Sequence, residues 1–222
     1  MISVTQAVRQ RHSVRAFLSD PVPLETVREI LDVASRSPSG GNLQPWHVDV
    51  LAGAALEELK ERARQRLKAG LETPEFAVYP ADIAELHETR RRQCGDDLYT
   101  SLGIARTDKA ARWSQFLRNY ELFGAPVALF FSVDRRFDRP QWAHLGMFIQ
   151  TIMLLAEERG LGTCAQESWA AMHRTVAEFL ALPEDRMLYC GLALGFEDKA
   201  NPVNGFRTTR EAVDGFATFR GF

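Results

Sequence analysis

The sequence predicts an α+β fold of helices layered on a few strands. Helical and strand-like patterns follow one another with links longer than a hairpin turn. Pro126–Val133 (PVALFFSV) is a near-continuous apolar run with the length of a buried strand. Gln141–Arg159 is the longest helical stretch, and its apolar residues cover more than one face. The 222 residues, 45% of them hydrophobic, suit one domain over 1–222 rather than two.

The elements follow in order. Leu24, Val27, Ile30, Leu31 and Ala34 share one helical face, with Pro23 placed for a first helical turn. That helix should stop before Ser37-Pro38-Ser39-Gly40-Gly41-Asn42, a strong loop signal. His47–Leu51 reads as a short strand and Ala54–Leu67 as a charged amphipathic helix. Residues 70–110 are the least regular part and read as an excursion of short helices and loop over the body of the domain. Arg112–Phe123 reads as helix. In Gln141–Arg159, Leu145, Phe148, Ile149, Ile152, Met153, Leu155 and Ala156 suggest burial on several sides, for which a subunit interface is a natural place. Gly160-Leu-Gly162 ends it. A helix near Ala170–Leu182 and a strand near Leu188–Leu194 complete the core. The tail after Gly195 is polar, with Phe206, Phe216, Phe219 and Phe222 spaced along it, and is expected to pack on a neighbouring subunit.

Lys and Arg total 27 against 29 Asp and Glu, a net charge of −2, so neither nucleic acid nor an anionic membrane is the expected partner. No apolar segment has the length of a bilayer span, and the N-terminus lacks the features of a secretory signal. A soluble, cytoplasmic protein is expected. Cys94, Cys164 and Cys190 are odd in number and far apart, which argues against a disulfide framework or a zinc site.

Four segments could carry chemistry. Arg9, Arg11, His12, Ser13 and Arg15 crowd seven positions. Forked guanidinium donors and a hydroxyl suit a dianionic phosphate, although a solvated basic helix end would use the same residues. In Ser37–Trp46 (SPSGGNLQPW), prolines fix the backbone, glycines permit close approach, and Asn42 and Gln44 offer amides. An ordinary helix-to-strand connection is the alternative. Gly160–Trp169 (GLGTCAQESW) offers backbone N–H groups and Glu167, or is a simple turn. Arg207-Thr-Thr-Arg210 is a second basic pair, or plain surface. No HExxH, GxSxG, GxGxxG or Walker sequence occurs. Phosphate-suited and flat-ring-suited clusters without a nucleophile fit a reaction carried by a cofactor.

In order, RQRHSVRAF, SPSGGNLQPW, the long helix with His144-Leu-Gly146 and Gln150, GLGTCAQESW, and LALGF before an arginine-bearing tail resemble the FMN-dependent nitroreductase family. The resemblance runs from about Val4 to Arg210 and is weakest over residues 65–115. The two glycines of SPSGGN are similar to the aromatic-nitro reductases that include the nitrobenzoate-reducing branch.

The resemblance implies a central, mainly antiparallel sheet and a homodimer with a domain-swapped C-terminal tail. It implies FMN at the subunit interface, NADH or NADPH as co-substrate, and ping-pong reduction of a small aromatic acceptor. By the same resemblance, Arg11, Ser13, Arg207 and Arg210 hold the FMN phosphate, His12 supports that loop, and Arg15 lies near the ribityl chain or the pyrimidine edge. Pro38, Ser39, Gly40 and Asn42 reach the flavin from the other subunit, with His144 and Met147 nearby. The family often carries an acidic residue where His144 stands. Gln166, Glu167 and Ser168 are expected at the flavin, the last two beside N5, and Asn119 at the pyrimidine ring. Solvent can protonate an open acceptor site, so no catalytic side chain and no metal are expected. Residues 70–110 are expected to cap the channel. A reductase of quinones, enones or halogenated phenols shares these features, as does a non-enzymatic flavin-binding protein.

Overall fold

The computed structural model describes residues 2–222. Helices α1 (Val4–Gln10) and α2 (Leu24–Ala34) precede strand β1 (His47–Ala52). Helices α3 (Gly53–Lys68), α4 (Glu85–Ser101) and α5 (Lys109–Leu117) lead to β2 (Val127–Asp134). Helix α6 (Arg139–Glu158), β3 (Gly162–Gln166), α7 (His173–Leu180) and β4 (Arg186–Gly195) follow. The strands form one sheet in the order β1-β2-β4-β3, and every pairing is antiparallel. Each strand is separated from the next in sequence by at least one helix, which matches the absence of hairpin signals.

Strand β2 explains its own composition. Side chains alternate across a sheet. Val127, Leu129, Phe131 and Val133 face one core with α2 and α6, while Ala128 and Phe130 face a second core with α3 and α7. Covered on both faces, the strand has no position for a solvated residue until Asp134. In α6, Leu145, Phe148, Ile149, Ile152 and Ala156 are buried, whereas Ala143, Gly146 and Met147 are exposed. Gln150 and Leu154 continue that outward stripe as half-buried residues.

Several expectations need correction. Residues 70–110 contain one 17-residue helix, α4, rather than short pieces. It buries none of its residues, so it lacks the apolar period that reveals a helix. Glu88 pairs with Arg91 at 2.8 Å and with Arg92 at 2.7 Å across one turn, support of the i,i+3 and i,i+4 kind. The helix expected over Arg112–Phe123 stops at Leu117 and tightens into a 3₁₀ turn that ends in left-handed Leu122 and Phe123. Residues 167–172 are likewise 3₁₀, so α7 begins only at His173. Pro23 stands just before α2 rather than inside its first turn, and Leu24, assigned to the buried face, is exposed. GLGTCAQESW is not a turn: its centre is edge strand β3, and Trp169 is core. Trp169 meets Tyr120 and Phe130 edge-on at 5.3 and 5.0 Å. Gly191 leaves room for it, since a Cβ there would lie 2.7 Å from the indole.

Candidate functional site

Two surfaces of the chain collect the residues singled out by sequence. The first is built where the segment after α1 crosses β3. Ser13 forms a parallel bridge with Thr163, and the Val14 N–H donates to the Thr163 carbonyl at 3.0 Å. Gly162 permits this approach, because a Cβ would stand 2.6 Å from Val14 Cγ2. Residues beyond the strands then fix the segment. The Arg15 N–H donates to Asn204 Oδ1 at 2.7 Å. Asn204 is buried and donates in turn to the carbonyls of Ala16 and Asp198 at 2.8 and 2.9 Å. The His12 ring bridges the Gln10 carbonyl at 3.1 Å and Glu197 at 3.0 Å.

The electrostatics here are unbalanced. Burial, and after it the charge of Arg210, hold the Arg11 guanidinium below its ordinary range. The Arg210 charge therefore reaches the half-buried Arg11, opposed by the weaker influence of Glu157. Among the described residues, Arg11, Arg15, Arg207 and Arg210 form no ion pair. Arg207 donates to the carbonyls of Asn204 and Phe206, and Arg210 to Thr208 and Thr209. Glu157, whose charge Arg11 feels, has its carboxyl pushed up by burial. Two neighbouring cations that form no ion pair suit an anion that both can reach.

Strand β3 leads from that cluster to a cleft. Thr163 to Gln166 is three residues, about 10 Å of extended chain. The cleft measures about 470 Å³, and Phe116, Asn119, Tyr120, Ala165, Gln166, Glu167 and Ser168 lie along it. Pro74, Val78 and Tyr79 close it from the excursion. The volume falls in the usual range for a small-molecule site. Gln166 donates through Nε2 to the Asn119 carbonyl at 2.8 Å and to Asn119 Oδ1 at 3.1 Å. Gln166 Oε1 and Ser168 Oγ are buried without a partner, each a cost of roughly 1–3 kcal/mol until it is met. Partial desolvation raises the Glu167 carboxyl above its ordinary value.

The second surface lies on α6. Ser37 Oγ donates to Thr151 Oγ1 at 3.0 Å, and the Gly40 N–H donates to His144 Nε2 at 3.3 Å. The loop thus runs along the helix from Thr151 back to His144. That bond leaves Nε2 without a proton, which places the ring proton on Nδ1, a buried atom with no partner. Pro38 and Ser39 begin the bend, and Ser39 Oγ accepts the Gln44 N–H at 3.0 Å. Asn42 and Gln44 adopt left-handed φ of 52° and 48°, uncommon outside glycine. Trp46, whose side was unassigned from sequence, stacks on Phe148 at 4.6 Å as part of the core.

The structure therefore brings Arg11, His12, Ser13, Arg15, Arg207 and Arg210 into one neighbourhood, with Gln166, Glu167 and Ser168 one strand length away. It does not bring Pro38, Ser39, Gly40, Asn42, His144 and Met147 to the same place. His144 and Glu157 stand 13 positions apart in α6, about 20 Å along its axis. Glu197 and Asn204 had no sequence signal as site residues. Asn201-Pro202 and Asn204-Gly205 advertise turns, but nothing local reveals a partner nearly 190 positions away. No cluster of three or more His, Cys, Asp or Glu that could hold a metal occurs among the described residues. No described helix is long and apolar enough to cross a membrane.

A model of the Nitroreductase family matches residues 8–196. A 4-nitrobenzoate reductase from Nocardioides sp. strain LMS-CY is 40% identical over 216 residues, 96% of this chain and 87% of that protein. A 4-nitrobenzoate reductase from Pseudomonas putida is 36% identical over 97% of this chain and 94% of its own length. Among solved structures, the FMN and NADPH-dependent nitroreductase NfnB from Sphigopyxis sp. strain HMH superposes with a TM-score of 0.96 at 42% identity, covering both chains fully. NfnB from Mycobacterium smegmatis in complex with NADPH gives 0.92 at 29% identity over 98% of this chain and 97% of that one. The chain belongs to the Nitroreductase family.

Proposed function

We propose that the chain is an FMN-dependent, NAD(P)H-driven reductase of nitroaromatic compounds, working as a homodimer whose flavin sites are completed across the subunit interface. The observation that carries this is the unbalanced pair Arg11 and Arg210, one strand length from a cleft floored by unpartnered amide and hydroxyl oxygens. A phosphate at one end and a flat ring at the other, joined by a ribityl chain, fit that layout. The relatives' activities supply the reaction.

When bound, FMN would supply hydride uptake from NAD(P)H and electron transfer to the nitro group. The chain's own residues bind and orient. Arg11, Ser13, Arg207 and Arg210 hold the phosphate. His12, tied to Glu197, keeps the Arg11–Ser13 backbone in place. Arg15, its N–H fixed by Asn204, sets a cation where a reduced ring gathers negative charge, and a preorganised cation there stabilises that charge. Gln166, Glu167 and Ser168 line the edge at which the acceptor enters. Residues 70–110 cap the channel through Val78 and Tyr79 and select the acceptor.

The separation of the two surfaces supports a dimer. A two-fold axis setting α6 antiparallel to its copy would bring the His144 end of one helix towards Arg11 of the other subunit, and Pro38, Ser39, Gly40, Asn42, His144 and Met147 would then serve the neighbouring flavin. The exposed stripe Ala143, Gly146 and Met147, with Val4 and Val8 exposed on the adjoining α1, offers an apolar surface for that pairing. The tail, with Phe216, Phe219 and Phe222 exposed, has apolar surface to lay over the partner. Three free cysteines fit a reducing cytoplasm.

Steady-state turnover tests the reaction. Nitrobenzoate and nitrobenzene are expected to outperform quinones, enones and halogenated phenols at equal concentration. Faster turnover of any of the latter would reassign the acceptor while leaving the flavin site intact.

A further inference from the structure

A second groove, of about 390 Å³, adjoins the cleft. Tyr99, Arg106, Lys109, Arg112, Trp113 and Phe116 line it, and Phe116 lines both depressions. Its lining thus holds three cations and three aromatic rings, with no carboxylate. One cation is already engaged: Arg112 donates to Asp96 at 3.2 Å and lies 4.1 Å over the Tyr99 ring. Asp108, beside Lys109 in sequence, accepts the Ala111 N–H at 2.9 Å and caps α5. Arg106 and Lys109 are exposed and form no ion pair among the described residues. Trp113 is 50% exposed and stacks on Phe116 at 5.2 Å. The result is a flat apolar platform with two unpaired cations beside it.

Reach decides what such a groove can serve. Lys109 precedes Phe116 by seven residues of α5, about 10 Å along the helix. Phe116 is the residue shared by the two depressions, so a ligand must extend beyond the cleft to meet either cation. A dinucleotide with its nicotinamide in the cleft would be long enough to pass Phe116 and bring its adenosine to the groove. We infer that this groove receives the adenosine 2′-phosphate end of NADPH, with adenine on Trp113 and the 2′-phosphate between Arg106 and Lys109. The chain therefore prefers NADPH to NADH, because only the former brings a dianion to the two cations. The inference rests on the reductase reading and adds the coenzyme's far end to it.

The test compares the wild-type holoenzyme with the double variant Arg106→Gln/Lys109→Gln. Coenzyme kinetics are measured with a nitroaromatic acceptor, and calorimetry with NADP⁺, NAD⁺ and adenosine 2′-monophosphate. The variant is expected to raise KM for NADPH roughly tenfold for each cation lost and to leave KM for NADH within about twofold. Its binding of adenosine 2′-monophosphate should vanish. Trp113→Ala should weaken both coenzymes, since both carry adenine. Equal affinity of the wild type for NADP⁺ and NAD⁺ would overturn the inference, as would an equal change for NADPH and NADH in the double variant. If the wild type oxidises neither coenzyme, the reductase reading fails. Calorimetry then decides the groove alone: selective binding of adenosine 2′-monophosphate supports it, and no binding overturns it.

Discussion

Replacing Arg210 with alanine removes a cation whose charge reaches the half-buried Arg11. In the free chain its Nη1 donates to Thr208 Oγ1 at 2.5 Å and to the Thr209 carbonyl at 2.7 Å. Those acceptors are exposed and can turn to water, so their loss leaves no buried group unmet. The variant should fold with stability within about 0.5 kcal/mol of wild type. Relief of the repulsion on Arg11 acts in its favour. Binding is another matter. A guanidinium makes one or two charge-assisted bonds to a phosphate, each worth about 1.5–3 kcal/mol. Discounted for its exposed position, the loss is about 2–4 kcal/mol, or roughly one and a half to three decades in Kd for FMN. Reconstitution of the apoprotein, followed by quenching of flavin fluorescence, measures the affinity, and thermal melting checks the fold. Riboflavin, which lacks the phosphate, should bind variant and wild type alike. Wild-type FMN affinity in the variant would refute the reasoning, as would an equal loss for riboflavin.

Further outcomes follow from the same geometry. Leu154→Glu puts a charge on the outward stripe of α6, and sedimentation should show monomers that have also lost FMN, although Leu154 lies outside the site; flavin retained by a monomer would refute the shared site. Asn204→Ala strands the Arg15 N–H and the Ala16 carbonyl, so chemical denaturation should register a loss of about 2–4 kcal/mol together with weaker flavin binding. Trp169→Ala empties a fully buried indole and should cost about 3–5 kcal/mol, read as a lower denaturation midpoint. Glu167 holds its proton more tightly folded than unfolded, so its contribution is present below the unfolded value and is lost as pH rises through the higher folded one. Melts of Glu167→Gln from about pH 4 upward should therefore show the variant gaining on wild type as pH rises, by a small amount because the carboxyl is only partly desolvated.

The parts of the fold that sequence revealed are those whose burial leaves a periodic trace. Strand β2 sits between two cores and reads as an unbroken apolar run, while α6 is covered on several sides and reads as a crowded helix. Helix α4 left no trace because none of its residues is buried. Strand β3 was obscured for another reason: GTCAQ is short and polar, and it is held by pairing with β4 and by the crossing of Ser13 rather than by alternation. At the site, the basic segment and the SPSGGN loop stood out because arginine clusters and special backbone residues are local features. Their supports did not. Asn204 and Glu197 act on residues nearly 190 positions earlier, a proximity that only the closed sheet creates. Trp169 shows the converse, since a motif that looked turned toward a ligand sends its indole into the core.

An anaerobic titration tests the central claim most directly. Protein purified without added flavin should be yellow, with one FMN per chain released by denaturation. Its flavin band should bleach on addition of about one equivalent of NADPH and return when nitrobenzoate is added. A colourless protein would contradict the flavin site, and a yellow protein that neither coenzyme bleaches would contradict the reductase.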